Sequence, residues 1–324
     1  MPGRALVTGG RGFVGAWLCR ALLERSERVV SLDRAAATSR PSPLALIGVE
    51  GEVEEVEGDV VDGELVERAL AEHRVDTVFH LGAQTIVATA AASPAATFEA
   101  NVRGTWTVLD ACRSRGLGRV VVASSDKAYG AHDELPYRED FALRPTAPYE
   151  ASKAAADLIA RSFWGSYGLP VAVTRFANVY GGGDTNFSRL IPETVSAVLD
   201  GRRPVLRSDG SPERDFLYVE DAACAYLAIA DALDREDVRG EAFNAGSGRP
   251  HRVGEVVELI AGLAGTGAEP EIQGSGSPSG EIDRQFVDPA KIRAVVGWEP
   301  RVDLEEGLRR TIEWYREHPE VRPS

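Results

Sequence analysis

Hydrophobic and polar positions alternate along the first half of the chain in a pattern that predicts strands separated by amphipathic helices. Short apolar runs predict strands at residues 4–8, 28–33, 53–59, 77–81, 120–124 and 171–175. Helical periodicity covers residues 12–26, 62–73, 94–116 and 150–167. Because the strands are nearly all apolar and alternate with helices, we predict an α/β fold with a parallel sheet covered on both faces.

The pattern changes after residue 175. Glycine, proline and serine interrupt the alternation of strands and helices at 181–184, 208–212 and 274–280. A predicted helix at 219–233 and a predicted strand at 241–245 resume this alternation. We therefore predict a discontinuous division of the chain. Residues 1–182, together with 218–248, form the sheet domain, and residues 183–217 and 249–324 form a smaller domain over the strand ends.

A glycine-rich turn joins the first predicted strand to the first predicted helix. Residues 7–15 read Val-Thr-Gly-Gly-Arg-Gly-Phe-Val-Gly. Glycines allow a tight turn and a close approach of the backbone to a pyrophosphate, and the following helix N-terminus offers N–H groups to it. The fold this indicates is a Rossmann-type doubly wound sheet that binds a dinucleotide. The predicted binding residues here are Gly9, Gly12, Phe13, Val14 and Gly15.

An acidic residue at the end of the second strand indicates which of the two nicotinamide dinucleotides binds. Asp33 follows the turn by about 20 residues, where a carboxylate accepts hydrogen bonds from the adenosine ribose and repels a 2′-phosphate. We therefore expect NAD rather than NADP, although the adjacent Arg34 weakens that preference. The ends of the third and fourth strands are expected to line the same cofactor, through Asp59, Val60, Leu81, Ala83 and Gln84. His80, beside them, is expected to be a buried core histidine.

Two further segments carry candidate chemistry. Tyr149 and Lys153 lie four residues apart at the start of a predicted helix and so share one of its faces. A lysine ammonium beside a phenol is expected to lower the pKa of Tyr149 from about 10 toward neutral, which makes a general base. At the end of the fifth strand, Ser125, Asp126 and Lys127 follow an apolar run, where adjacent charged groups are costly unless they have a function.

Composition excludes several classes of protein. With 324 residues, 44% hydrophobic and 27% charged, the chain is an ordinary globular protein. A net charge of −14 argues against a nucleic acid or an anionic membrane as partner, and no apolar stretch predicts a transmembrane helix. Cys19, Cys112 and Cys224 are expected to be buried free thiols of a cytoplasmic protein. No ligand-spaced cluster predicts a metal site.

The basic residues are unevenly divided. Of 36 lysines and arginines, only Lys127, Lys153 and Lys291 are lysines. Arginine replaces lysine where only a positive charge is needed, but not where the group must lose a proton. Two of the three lysines fall in the two segments with candidate chemistry. We therefore expect Lys127 and Lys153 to be needed as amines.

These segments together resemble the extended short-chain dehydrogenase/reductase family, specifically its nucleotide-sugar epimerases and 4,6-dehydratases. The matching segments, spread over nearly the whole chain, are the residue 8–15 turn, 58–60, 80–84, 101–105, 124–130, 149–153, 175–181, 214–221 and 297–300. Ser125-Asp126-Lys127 is similar to the Thr-Asp-Lys of dehydratases of the CDP-glucose type. The chain is shorter than that type, and Arg214-Asp-Phe-Leu-Tyr-Val is the general family form, which puts the nucleotide in doubt.

The resemblance implies a mechanism. Tyr149 takes the proton of the sugar C4 hydroxyl while a hydride passes to NAD, Ser125 hydrogen-bonds the same oxygen, and Lys153 holds the phenolate and cofactor. Asp126 then protonates the departing C6 hydroxyl and Lys127 takes the C5 proton, which gives a 4-keto-6-deoxy sugar. A direct ion pair between Asp126 and Lys127 would shift both pKa values away from these roles, and the sequence leaves that question open.

The resemblance also implies substrate contacts, a partner and alternatives. The residues expected to bind the sugar diphosphate are Asn178, Arg189, Arg214 and Arg284. A homodimer is implied through the helices at 94–116 and 150–167. A 4-epimerase remains an alternative that has no task for Asp126 and Lys127, and a non-catalytic NAD-binding regulator of the same fold remains another.

Overall fold

The computed structural model describes residues 3–35, 41–276 and 282–323. A seven-stranded sheet forms its centre, and every strand in it pairs in parallel with its neighbours. In chain order its strands are β1 (Arg4–Thr8), β2 (Arg28–Asp33), β3 (Glu54–Glu57), β4 (Thr77–His80), β5 (Arg119–Ala123), β6 (Val171–Phe176) and β7 (Ala242–Ala245). The spatial order is β3-β2-β1-β4-β5-β6-β7. The predicted Rossmann-type doubly wound sheet is confirmed.

Strand composition follows position in the sheet. The central strand β1 buries Ala5, Leu6 and Val7 completely, because helices cover both faces. Strand β3, at the edge, is shorter than the predicted 53–59, and its three glutamates are exposed. An edge strand faces water on one side, so it tolerates charge where a central strand does not.

Within the described ranges, eight longer helices surround the sheet and extend beyond it. They are α1 (Phe13–Glu24), α2 (Gly63–Glu72), α3 (Gly104–Ser114), α4 (Pro148–Tyr167), α5 (Leu190–Leu199), α6 (Val219–Ala232), α7 (Val253–Leu263) and α8 (Leu304–Glu317). Shorter α-helical turns lie at Pro43–Leu46, Val87–Ala92, Pro94–Phe98 and Ala290–Val296, with 3-10 turns at Glu50–Glu52, Asp126–Tyr129 and Pro319–Val321.

The helix predicted at 94–116 is not continuous. It consists of Pro94–Phe98, a π-helical turn at Glu99–Arg103, and α3. Within the turn, the buried side chain of Asn101 hydrogen-bonds both backbone groups of Gln84 and the Ser152 hydroxyl. The Thr105 hydroxyl donates to the Asn101 carbonyl at 2.6 Å. These side-chain bonds hold the widened turn, which periodicity alone does not reveal.

A second, smaller core lies outside the sheet. It is built from α5, α7, α8 and two short strands, Asn178–Tyr180 and Phe216–Tyr218, which pair in parallel. Two further small sheets join Glu213–Arg214 to His251–Arg252 and Arg284–Gln285, and Val205–Leu206 to Glu271–Ile272. Part of the predicted tract at 274–280 lies outside the described residues.

One segment departs from the predicted division of the chain. Ile292 of the Ala290–Val296 helix and Trp298 after it belong to the core of the central sheet, not to the smaller core. The assignment of all of 249–324 to the smaller domain is therefore wrong for this segment, because its apolar residues pack beside β7 and α6. The rest of the division stays a prediction.

The cysteines differ from one another in exposure. Cys19 and Cys112 are buried and unpaired, and burial raises the pKa of each thiol. Cys224 is also unpaired but lies exposed on α6, so the expectation that all three are buried is wrong for Cys224. Within the described ranges, no helix combines the length and apolar character needed to cross a membrane.

Candidate active site

A cleft of about 1090 Å³ runs across the carboxyl ends of the sheet strands and on between the two cores. At one end it is lined by predicted cofactor residues, namely Gly9, Gly12, Phe13, Val14, Gly15, Asp33, Arg34, Asp59, Val60, Leu81 and Ala83. Further along it is lined by Ser125, Asp126, Lys127, Tyr149, Lys153, Asn178, Arg189 and Arg214. Two predicted residues, Gln84 and Arg284, do not line it.

The glycine turn is shaped for close backbone approach. Gly9 has φ +77°, and a Cβ there would lie 2.8 Å from the backbone nitrogen of Gly82. A Cβ on Gly15 would lie 2.0 Å from the carbonyl oxygen of Gly9, so the first turn of α1 packs directly on the loop. Helix α1 begins at Phe13, and its N-terminal N–H groups therefore face the cleft. This geometry fits a dinucleotide pyrophosphate.

Asp33 lies at the end of β2 with its carboxylate held by the turn. The backbone N–H of Arg11 donates to Asp33 Oδ2 at 2.6 Å, while burial raises the pKa of this carboxyl group. The guanidinium of Arg11 turns away to form an ion pair with Glu55 on β3. Arg34 is exposed at the cleft edge. A carboxylate at the end of β2 suits an unphosphorylated ribose.

At the end of β4, the structure does not bring the side chain of Gln84 to the cleft. The side chain of Gln84 folds back to hydrogen-bond both backbone groups of Ile86, so it is used within its own loop. Gly82 and Thr85 line the cleft there instead. The expectation for His80 is confirmed, since it is buried between the hydroxyls of Thr8 and Thr105, at 2.8 and 3.1 Å. Its pKa is lowered to about 3 by burial and by the charge of Lys153.

A 3-10 turn after β5 presents the acidic and amine groups. Ser125 caps it, accepting from the backbone N–H of Lys127 at 3.2 Å and donating to Asp126 Oδ1 at 3.0 Å. Asp126 is 2% exposed, and burial raises its pKa despite the opposing charge of Lys127. A raised pKa is the shift that a carboxylic acid needs to remain protonated near neutral pH.

Lys127 does not form an ion pair with Asp126 in the described part of the chain. Its ammonium instead lies 3.5 Å from the side-chain oxygen of Gln285, a residue that the sequence did not single out. Gln285 comes from a short strand 158 residues further along the chain, so no local pattern could identify it. Among the described residues the direct ion pair is therefore absent, and the amide of Gln285 is the group that the ammonium contacts.

Tyr149 and Lys153 both point from the first turns of α4 into the cleft and are largely buried. The N-terminus of α4 is stabilised because Pro148 occupies the first helical position and the Glu150 carboxylate accepts from the backbone N–H groups of Thr146 and Ala147. The four-residue spacing therefore brings the phenol and the amine to the same face, as predicted.

The expected effect of Lys153 on Tyr149 is wrong. Burial raises the pKa of Tyr149 to about 12, and the groups that lower it in part are Arg189 and the Ser125 hydroxyl. The Lys153 ammonium instead donates to the carbonyl oxygen of Ala123 at 2.9 Å, and burial lowers its pKa to about 8. Helical spacing predicts a shared face, but the end of β5 decides where the ammonium lies.

The predicted phosphate contacts divide into two groups. Arg214 is 8% exposed at the cleft, where its guanidinium is fixed by the backbone carbonyls of Glu213 and Asp283 at 2.9 and 3.0 Å. Arg189 lines the same region and pairs with Asp184, and Asn178 hydrogen-bonds the backbone of Asp215. These three residues present cationic and amide groups to one part of the cleft.

Arg284 lies outside that group. Its side chain is 56% exposed and forms an ion pair with Glu213 at 2.7 Å, and it does not line the cleft. Successive side chains of a strand point to opposite faces, so its neighbour Gln285 points inward where Arg284 points outward. The structure therefore does not bring Arg284 to the predicted phosphate site.

A buried ion pair behind the site joins its parts. Arg175 of β6 donates to both carboxylate oxygens of Asp157 on α4, at 2.7 and 3.0 Å, and both side chains are at most 1% exposed. Arg175 also donates to the Tyr129 hydroxyl at 2.9 Å, and Tyr129 donates to Asn244 at 2.8 Å. Tyr129 ends the turn that begins at Asp126, so the network ties that turn to the helix of Tyr149 and Lys153.

Comparison with known proteins agrees with this geometry. The family model "NAD dependent epimerase/dehydratase family" matches residues 5–246. The dTDP-glucose 4,6-dehydratase of Xanthomonas campestris pv. campestris (strain B100) is 34% identical, over 96% of this chain and 92% of its own. Trifunctional dehydratase/epimerase/reductase proteins of Arabidopsis thaliana are 32 to 33% identical over 98% of this chain, which spans only about half of their length.

Solved structures include both activities of the family. The UDP-glucose 4-epimerase of Thermotoga maritima, solved with UDP-glucose, superposes with a TM-score of 0.89 at 29% identity, covering 98% of this chain and 99% of its own. The dTDP-glucose 4,6-dehydratase of Streptomyces venezuelae, solved with NAD, superposes at 0.86 and 31% identity, covering 98% of both chains. The family match confirms the predicted cofactor, NAD. The chain belongs to the NAD-dependent epimerase/dehydratase family.

Proposed function

We propose that the protein is an NAD-dependent nucleotide-sugar 4,6-dehydratase, which converts an NDP-hexose to an NDP-4-keto-6-deoxyhexose. The observation that carries this proposal is the turn of Ser125, Asp126 and Lys127, which opens into the cleft beside Tyr149 and Lys153. A 4-epimerase needs Tyr149 and Lys153 but has no task for Asp126 and Lys127. A buried acid and an amine in the same place supply the two proton transfers that elimination of water requires.

The first step is removal of the C4 hydroxyl proton. When bound, NAD supplies the acceptor of the C4 hydride and later the donor of the same hydride to C6. Tyr149 would take the hydroxyl proton in its phenolate form, which Arg189 and the hydroxyl of Ser125 favour against the burial that raises the pKa of Tyr149 to about 12. Lys153, with a pKa of about 8, is still largely cationic at neutral pH and adds a positive charge on the same helix face.

The second step removes water from C5 and C6. The C4 ketone acidifies the C5 hydrogen, which passes as a proton to Lys127 while its electron pair forms the C5–C6 double bond. The C6–O bond breaks, and Asp126 protonates the departing hydroxyl so that it leaves as water. The raised pKa of Asp126 is in the direction required for this acid. The protonated Lys127 would return a proton to C5, and C6 would receive the hydride from bound NADH.

The substrate diphosphate would lie at the far side of the same cleft. We propose Arg214 and Arg189 as its cationic contacts and Asn178 as a hydrogen-bond donor, on the basis of their position in one part of the cleft lining. Arginine presents paired N–H groups that match phosphate oxygens. Arg284 is left out of this set because it is exposed and pairs with Glu213.

The proposal is tested by incubating the protein with UDP-, dTDP-, CDP- and GDP-hexoses and measuring the masses of the products by mass spectrometry. All four nucleotides are needed because the Asp126-Lys127 pair resembles the CDP-glucose type, whereas the named relatives carry dTDP- and UDP-sugar names. A product lighter by one water supports the proposal. Isomerisation at constant mass would establish the 4-epimerase instead, and no turnover of any sugar would favour an NAD-binding regulator.

A homodimer is part of this proposal. Phe98, Trp106 and Leu158 lie on the neighbouring helices Pro94–Phe98, α3 and α4 and are 40%, 45% and 58% exposed. Large exposed apolar side chains on adjacent elements mark a contact surface. Sedimentation velocity should give a dimer that Trp106→Glu converts to a monomer, while Ile272→Glu, at an exposed apolar residue on the short strand Glu271–Ile272, leaves it unchanged. A monomeric unsubstituted protein would contradict this.

A cytoplasmic location also belongs to the proposal. It is supported by the odd number of cysteines, which suits a reducing compartment. Fractionation of cells that produce the protein would test it, and recovery in an extracytoplasmic fraction would contradict it.

A further inference from the structure

Gln285 is completely buried against the turn that carries Asp126 and Lys127. It lies on the strand Arg284–Gln285, which pairs in parallel with Glu213–Arg214 so that Gln285 is opposite Arg214. Its backbone carbonyl accepts from the N–H of Asp215 at 3.2 Å. The backbone of Gln285 is therefore fixed to the same strand that delivers Arg214 to the cleft.

The two ends of the Gln285 amide face two different groups. The ammonium of Lys127 lies 3.5 Å from its oxygen, Oε1. On the other side, the amide nitrogen Nε2 and Asp126 Oδ2 are both buried and without a hydrogen-bond partner among the described residues. The amide is nevertheless close enough to lower the pKa of Asp126 in part. The amide oxygen thus accepts from the amine, whereas the amide nitrogen is a buried donor without a partner, on a side chain near enough to Asp126 to affect its pKa.

Two buried polar atoms without partners are unfavourable in a folded protein. A methionine of similar length would fill the same space without that cost. The polar side chain therefore needs a reason other than packing. The reason suggested by the geometry is that the amide oxygen holds the ammonium of Lys127 while the same side chain remains in reach of Asp126.

We propose that Gln285 is a positioning residue for the elimination step, in which its amide orients Lys127 toward C5 and Asp126 toward the C6 hydroxyl. The inference rests on the proposed dehydratase function. It assigns no bond-making role to Gln285, since a neutral amide neither gives nor takes a proton near neutral pH. Its effect is exerted through the two groups it contacts.

Charged and polar groups other than Gln285 also act on the carboxyl group of Asp126, and they contribute to the pH profile of kcat. Lys127 and Arg214 lower the pKa of Asp126, and the Ser125 hydroxyl does the same. Asp126 in turn raises the pKa of its neighbours Tyr149, Tyr137 and Asp215. A change at Gln285 leaves all of these groups in place, so a shift of the profile reports the amide itself.

Three variants test the inference. Gln285→Met keeps the length and removes both polar atoms, Gln285→Glu keeps the shape and adds a charge, and Arg284→Met is the matched control on the adjacent, outward-facing position. For Gln285→Met we expect kcat for water loss to fall roughly 10- to 100-fold, as misplacement of reacting groups does, with KM little changed. Because C4 oxidation precedes elimination, NADH absorbance should accumulate in a single turnover. The control should resemble the unsubstituted protein.

Gln285→Glu gives a readout that a merely structural role would not move. A second carboxylate raises the pKa of Asp126, so the decline of kcat at alkaline pH should move to higher pH. Gln285→Met with an unchanged kcat and Gln285→Glu with an unchanged pH profile would overturn the inference. If the unsubstituted protein itself loses no water from any sugar, the proposed function is wrong as well, and the two failures are thereby distinguished.

Discussion

The buried ion pair of Arg175 and Asp157 offers a prediction whose size follows from the structure. Asp157→Asn removes the negative charge but keeps the shape, and it leaves the guanidinium of Arg175, 1% exposed, without a counter-charge. Breaking a buried pair on one side costs about 3–5 kcal/mol, because the remaining charge is desolvated and uncompensated. With about 2.1 cal/mol/K of unfolding entropy per residue over the 324-residue chain, this corresponds to a fall in Tm of about 4–7 °C.

The assay is differential scanning calorimetry at neutral pH, with Glu24→Gln as the control. Glu24 pairs with Arg20 on the surface of α1, where both side chains are more than 40% exposed. Its loss should shift Tm by less than about 1 °C, since exposed pairs contribute little. A Tm for Asp157→Asn within 1 °C of the unsubstituted protein, or equal shifts for both variants, would refute the reasoning about burial.

Two further predictions concern the site. Lys127→Arg should leave NAD binding, measured by fluorescence titration, intact. It should slow water loss by roughly 100- to 10,000-fold, because arginine does not deprotonate. Near-normal activity of this variant would reject Lys127 as the base. Lys153→Met should raise Tm at pH 7, because folding otherwise buries an ammonium whose pKa falls from 10.5 to about 8. That gain should shrink as pH rises from about 8 to 10.5, where the folded protein no longer holds the proton; a gain independent of pH would contradict it.

The parts of the site that the sequence predicted are those carried by local patterns. The glycine turn, Asp33 and the spacing of Tyr149 and Lys153 each act through neighbouring residues of one strand or helix, so their geometry follows from the chain itself. The turn of Ser125 to Lys127 was located correctly because it follows an apolar strand whose end must face the cleft.

The departures from the predictions have physical causes, and all but that of Gln84 involve distant segments. Arg284 and Gln285 differ by one position on a strand, and only the pairing with Glu213–Arg214 decides which of them points inward. Gln84 turns away because its amide satisfies the backbone of its own loop. The pKa of Tyr149 depends on burial beneath several elements, which no spacing within one helix can predict.

The measurement that tests the account most directly is the site of deuterium incorporation in heavy water. The protein is incubated with the hexose nucleotide that it consumes, and the product is examined by NMR. Elimination through Asp126 and Lys127 predicts a product lighter by one water that carries solvent deuterium at C5, with the hydrogen from C4 recovered at C6. A product of unchanged composition, inverted at C4 and without deuterium at C5, would contradict the account.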